Sequence, residues 1–291
     1  MAQWAAEAHV DTALAKRLVS TQFPPLPERS LRLLSEGWDY AVYLVDETWV
    51  FRFPRREVVV PATVREIELL PRLALPVPVP RPVHIGKPDD GFPWPFYGAP
   101  YLPGDEALGL DDEARRRLAR PLARFMRALH SSDVANLPID PQQRSDMAVR
   151  VPRTRQSLVA IADLWEAPPL VDELLSRAER LRPAEPTAVV HGDLHFRQLL
   201  QARGELTGVI DWVDVCRADR GQDLQLVWSF LPPPARAAFL DEYGPVAEHS
   251  LLRARVLALN LNAILASWGH DEGAAAVERE AIASLNRTVV S

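Results

Sequence analysis

The sequence of 291 residues predicts an α+β fold, a β-rich N-terminal half followed by a larger, mainly helical C-terminal half. Three observations predict it. Short β-branched and aromatic segments broken by turn residues crowd residues 31–54, with a last such segment near 96–105. From residue 110 onward the apolar spacing is mostly helical, and one strand-like stretch, 187–213, interrupts it. At 47% hydrophobic residues the chain can bury a sizeable core and divide into two domains, with a boundary expected between residues 100 and 101.

The opening MAQWAAEAHVDTALAKRLV has Glu7, His9 and Asp11 where a secretory leader needs an unbroken apolar core, so it reads as an amphipathic helix. LRLLSEG, YAVYLVD and TWVFRFP follow, broken at Gly37-Trp38-Asp39 and at Asp46-Glu47, and read as an antiparallel meander. Residues 60–73 read as a helix with Pro61 in its first turn and Val64, Ile67 and Leu70 or Leu73 on its apolar face. PVPVPRPVHIG (76–86) must be extended, because each proline disfavours helix at the residue before it; it suits a connector into an edge strand, or a ligand for a proline-binding domain. FYGAPYLPGD closes the β-rich half. Residues 110–132 form a helix capped by Asp111 or Asp112, with Pro121 a kink. TAVVHGD, QLLQAR and ELTGVIDWV then read as short strands, the last two joined at Ala202–Gly204.

The formal net charge of −6, from 39 acidic against 33 basic residues, comes without a long run of like charge. No nucleic-acid or membrane partner is expected, and the modest acidity weakly suits a cationic substrate. All basic residues but Lys16 and Lys87 are arginines. The apolar stretch 251–268 includes Arg253, Arg255, Asn260 and Asn262, which favours a core helix over a membrane span. Cys216 is the only cysteine, which rules out an internal disulfide and a multi-cysteine zinc site and fits a reducing compartment. A cytoplasmic protein is expected, as a monomer or homodimer.

Chemistry concentrates in HGDLHFRQ (191–198). His191, Asp193 and His195 alternate as metal ligands on a strand can, and would then serve a metal-dependent hydrolase. A purely structural polar loop is a second reading. The third rests on GVIDW (208–212), where Asp211 ends an apolar strand 18 residues after Asp193 and a turn brings the two strand ends together. One carboxylate that orients a hydroxyl and another that holds Mg²⁺ is what phosphoryl transfer needs.

Here the sequence resembles the aminoglycoside phosphotransferase family, small-molecule kinases with a protein-kinase-like bilobal fold. HGDLHFRQ and GVIDWVD match the family's HGDLHxxN and GVIDWxD, and EGWDYAVYLVDETWVFRFPRR, VREIELLPRL, PVPVPRPV, LPGD and RADRGQDL fall in the family's order over roughly residues 30–230. The resemblance implies a nucleotide-binding lobe at 1–100 and a catalytic and substrate-binding lobe at 101–291. It also implies ATP or GTP and Mg²⁺ as cofactors, and a small-molecule hydroxyl as acceptor. Asp193 matches the catalytic aspartate and Asp211 the Mg²⁺ ligand. His191 matches a packing histidine; His195 matches a position that touches the transferred phosphate or supports the fold. Ser35 and Gly37 fall in the phosphate-covering loop, Arg52 at the phosphate-binding position of the third strand, Glu66 at its helix partner, and Ala99 and Tyr101 where backbone groups meet adenine.

The chain departs from the family in three places. Gln198 stands where a second metal ligand is an asparagine, Arg197 where a small residue is usual, and Ala218-Asp219-Arg220 where GDP is usual. Glutamine offers the same amide oxygen on a longer stem. A catalytically weak nucleotide-binding protein is therefore the alternative to an active phosphotransferase. Asp219 and Asp223 are expected to brace the loop or cap a helix. Asp214, Asp241, Glu242, Asn260, Asn262, Trp268 and Asp271 are acceptor-site candidates by location.

Overall fold

Strand order follows from where the β-formers and turn residues fall. The computed structural model describes residues 6–24, 26 and 30–290, which form two compact units: residues up to 73 together with 78–102, and residues 74–77 together with those from 103 onward.

In the first unit α1 (Thr12–Gln22) is capped by Asp11, whose carboxylate accepts from Leu14 N at 2.8 Å. The helix therefore starts later than its sequence pattern suggested: residues 6–11 are not helical, and residues 1–5 lie outside the described residues. β1 (Leu31–Glu36), β2 (Tyr40–Val45) and β3 (Trp49–Pro54) form the expected meander. α2 (Val60–Leu69) follows, then β4 (His84–Gly86) and β5 (Phe96–Pro100). The antiparallel sheet runs β1-β2-β3-β5-β4, so the proline-alternating segment does lead to an edge strand. Its core gathers Leu18 and Val19 of α1 with Tyr43, Val45, Phe51, Phe53, Phe92 and Phe96. α2 buries Ala62, Thr63, Glu66 and Leu69. Val64, expected inside, is exposed, because the buried face of α2 is turned to bring Glu66 inward.

The second unit opens with β6 (Asp105–Glu106) and α3 (Asp112–His130), which is capped by Asp111 and contains Pro121. α4 (Met147–Ala160) and α5 (Pro169–Ala178) follow. β7 (Ala188–Val190), β8 (Leu199–Ala202) and β9 (Glu205–Val209) lie where the strand-like stretch predicted them. β10 (Cys216–Ala218) pairs antiparallel with β7, and β6 pairs with β8. Two short helices, α6 (Gly221–Leu224) and α7 (Leu226–Ser229), precede α8 (Pro233–Tyr243), α9 (Glu248–Asp271) and α10 (Ala275–Val289). α9 is the central helix of this unit, packed against α4, α6, α7 and α10. Among the described residues no helix is long and apolar enough to cross a membrane.

Candidate active site

In the first unit, β3 carries Arg52 opposite Val42 of β2, and α2 presents Glu66 to it. Arg52 Nη1 lies 3.3 Å from Glu66 Oε1, and the guanidinium also covers the Tyr40 ring at 4.4 Å from its centroid. Glu66 is fully buried, so its carboxylate depends on this partner. Ser35 and Gly37 stand where β1 turns into β2: Gly37 N donates to Tyr40 O at 2.9 Å, and Arg55 Nη1 donates to Gly37 O at 2.6 Å. Ala99 is buried on β5 opposite Val50. The Tyr101 backbone N–H donates to Thr48 O at 2.7 Å.

In the second unit, the loop 191–198 connects β7 to β8 and is fixed from both sides. Gly192 has φ +89°, and a Cβ there would stand 2.4 Å from Asp214 O, so only glycine fits. Asp223 braces the loop from below: its carboxylate accepts from His191 N at 2.8 Å, from Gly192 N at 3.1 Å and from His130 Nε2 at 3.0 Å. Burial, the largest influence, would raise the Asp223 carboxyl, but the bonds from His130 and His191 outweigh it and hold the group below the usual carboxylate range. Asp219 works beside it, accepting from Gly221 N at 2.8 Å and from Ser250 Oγ at 3.0 Å.

The loop is also stitched to the end of β9. His191 Nε2 donates to Ile210 O at 3.0 Å, and Ile210 N donates to Gln198 O at 3.0 Å. Asp211 comes next, with φ +65°, a left-handed conformation that costs a non-glycine residue on the order of 1–3 kcal/mol. The fully buried Trp212 holds it there, its indole N–H bonded to Val209 O at 3.0 Å and its ring against His191 and Phe125. Asp193, His195, Gln198 and Asp211 are thus gathered around two strand ends. The two nitrogens of His191 are engaged by Ile210 O and by Asp193 N, the latter at 3.4 Å. Among the described residues no group of three or more His, Cys, Asp or Glu side chains is arranged to hold a metal ion.

The Asp193 carboxyl is raised above its ordinary value, first by burial and then by repulsion from Asp214 and Asp211, against an opposing pull from Arg144. Arg144, in the loop before α4, was not singled out by its sequence. Its Nη1 donates to Gly192 O at 2.9 Å, and its Nη2 lies 2.8 Å from Asp214 Oδ2 and 3.4 Å from Asp193 Oδ1. Burial works most strongly against the Arg144 charge, yet Asp193 and Asp214 together hold its guanidinium above the ordinary value. Burial and then Arg197 push the His195 imidazole down to about 3, so it is neutral at pH 7. Its Nδ1 accepts from Arg197 N at 3.3 Å, which assigns the ring proton to Nε2, 3.8 Å from Asp193 Oδ2.

Gln198 Oε1 is buried and has no hydrogen-bond partner among the described residues. A hard oxygen acceptor kept from solvent and unspent fits a Mg²⁺ ligand, as does the Asp211 carboxylate beyond it. Arg197 lays its guanidinium over the Trp268 ring at 5.0 Å and stands 3.5 Å from Glu106.

Residues 30–257 match the profile of the phosphotransferase enzyme family, more than half of the chain. The chain belongs to the aminoglycoside phosphotransferase family. As a member of that family it is 31% identical over 182 residues to an aminoglycoside 3'-phosphotransferase of Escherichia coli, a match covering 58% of this chain and 64% of the relative, less than two thirds of its length. It is 35% identical over 184 residues to an aminoglycoside 3'-phosphotransferase of Streptomyces fradiae, covering 58% of this chain and 67% of that one. The fold of this family member resembles aminoglycoside 2'-phosphotransferase-IIIa solved with GDP, at a TM-score of 0.65 and 22% identity over 96% of this chain and 98% of the other. It also resembles a macrolide 2'-phosphotransferase from Brachybacterium faecium, at a TM-score of 0.60 and 23% identity over 93% and 97% of the two chains.

Proposed function

We propose that the protein transfers the γ-phosphate of ATP or GTP to a hydroxyl of a small molecule. The observation that carries this reading is the loop in which Asp193 is held next to the strand end bearing Asp211, braced by Asp223 and stitched through His191. Membership in the family supports it, as do relatives named for transfer to aminoglycosides and macrolides and solved relatives named as GDP and ADP complexes.

Asp193 accepts a hydrogen bond from the acceptor hydroxyl and fixes its oxygen in line with the γ-phosphorus. A bond forms between that oxygen and phosphorus, the bond from phosphorus to the β-phosphate bridging oxygen breaks, the nucleoside diphosphate leaves, and Asp193 receives the hydroxyl proton late. A raised carboxyl suits that last step. Asp211 and Gln198 are the residues that would hold Mg²⁺, which when bound neutralises phosphate charge. Arg52, anchored by Glu66, contributes a phosphate-binding cation, and the backbone around Ser35, Gly37, Ala99 and Tyr101 meets the nucleotide. The neutral His195 serves as a donor near the reacting carboxylate rather than as a cation.

The test is nucleotide turnover across a panel of hydroxyl acceptors spanning aminoglycosides, macrolides and metabolites. Product is expected with at least one acceptor and is lost in Asp193→Ala; undiminished product in that variant would sink the mechanism.

A further inference from the structure

Asp193 stands on a loop, and a carboxylate free to turn about its side-chain torsions holds a hydroxyl in line poorly. Arg144 Nη2 lies 3.4 Å from its Oδ1, whereas His195 Nε2, at 3.8 Å from Oδ2, is beyond hydrogen-bond reach. The same Nη2 lies 2.8 Å from Asp214 Oδ2, and Nη1 donates to Gly192 O at 2.9 Å. One planar fork thus grips the backbone of Gly192, the carboxylate of the next residue and a second carboxylate whose charge repels the first. An ammonium, a single point of charge, cannot serve all three. Arg144 is itself held in place. Asp140 accepts from Arg144 N at 2.8 Å and from Ser145 N at 2.7 Å. Gln222 of α6 donates to Asp140 Oδ1 at 2.9 Å and to Ser145 Oγ at 2.8 Å. Asp140 N donates in turn to Arg217 O of β10 at 3.0 Å, and β10 pairs with β7, from which the loop of Asp193 departs. Arg144 and Asp193 are therefore carried by adjacent strands of one small sheet, a bracing that an ordinary surface ion pair lacks.

We infer that Arg144 is a positioning residue for the transfer: its guanidinium fixes Oδ1 of Asp193 against Gly192 and Asp214, and so leaves Oδ2 as the oxygen that accepts the hydroxyl of the acceptor. Arg144 acts through Asp193 and needs no contact of its own with nucleotide or acceptor. The inference rests on the phosphotransferase reading and deepens it, because it says which oxygen of Asp193 works and what keeps it aimed.

The test pairs kinetics with thermal melting of the full chain. Turnover is followed with ATP or GTP and Mg²⁺, and with kanamycin, neomycin and erythromycin as acceptor probes. Arg144→Gln is expected to lower kcat on the order of 10–10²-fold, with KM for the nucleotide held within about twofold. An unchanged kcat in the folded variant, or a loss confined to KM, overturns the inference. Arg144→Lys is expected to keep a kcat between the two and is the variant read where Arg144→Gln does not fold; a kcat equal to wild type in it overturns the need for a guanidinium. In melting at pH 7.5, Arg144→Gln is expected to lower the midpoint about half as much in an Asp193→Asn background as in wild type, as partners in contact do. Equal losses in the two backgrounds overturn the claim that Arg144 acts through Asp193. Absence of product from wild type with every probe overturns the transfer reading and the positioning role with it; the melting cycle needs no acceptor and separates that failure from failure of the contact itself.

Discussion

Asp193 is costly to the fold and needed by the proposed chemistry. Its carboxyl is raised in the folded chain by burial and by Asp214 and Asp211, so the folded state favours the protonated form. That contribution to stability is fully present below the unfolded carboxyl value and is lost as pH rises through the folded one. Asp193→Asn, neutral at every pH, is therefore expected to melt no lower than wild type at pH 7.5 and to lose that advantage toward pH 4, while transfer falls about 10²–10⁴-fold. Thermal melts at several pH values, paired with turnover, check it; a variant much less stable at neutral pH contradicts the sign. Gln198 gives the second expectation at this scale. Its buried Oε1 has no partner among the described residues, so replacing it by leucine, of similar size and apolar, removes an unmet acceptor and should leave the melting temperature within a few degrees of wild type. The Mg²⁺ concentration for half-maximal turnover should rise severalfold, and an unmoved Mg²⁺ titration would mean that Gln198 ligates nothing.

At the scale of elements, the loop between β7 and β8 holds its shape through one buried side chain from a helix that follows it. Asp223 of α6 satisfies two loop amides and the His130 ring with no exposed surface of its own. Asp223→Ala leaves those donors buried without an acceptor and is expected to cost about 3–5 kcal/mol, measured by chemical denaturation. A loss below about 1 kcal/mol would show that water or a shifted loop takes over its bonds. The sequence showed the hairpin and both carboxylate positions because β8, the turn at Arg203-Gly204 and β9 are contiguous and locally patterned. β6 and β10, two and three residues long, carry no pattern of their own and exist only through pairing with distant strands. The helix read from the first residues starts instead at Thr12, where Asp11 caps it, and the buried face of α2 is set by the demand of Arg52 for Glu66 rather than by apolar spacing. Arg144 was invisible for the same kind of reason: its partners lie 48–70 residues away, and nothing in the polar segment around it marks that loop.

At the scale of the molecule, the second unit is closed by a buried ion pair joining its first long helix to its last. Arg115 of α3 is 1% exposed and holds Glu280 of α10 at 2.8 Å, with Arg287 gripping the same carboxylate. Burial pushes the Arg115 guanidinium down, and Arg287 adds to that push, so Glu280 is what keeps two neighbouring cations tolerable there. Removing one partner of such a group typically costs about 3–5 kcal/mol, because the charge left behind is neither solvated nor paired. The sole cysteine offers a way to see this without any enzymatic assay. Cys216 is 2% exposed on β10, and burial pushes its thiol up to about 12, so in the folded chain it is both shielded and protonated. Alkylation at pH 8 therefore proceeds through opening of this unit, and where reclosing outpaces the reagent its rate follows the opening equilibrium. Glu280→Ala is expected to speed alkylation on the order of 10²–10³-fold, with Glu280→Gln between it and wild type because the amide oxygen still accepts from one guanidinium. Equal labelling rates in all three proteins would show that the α3–α10 closure does not limit access to Cys216.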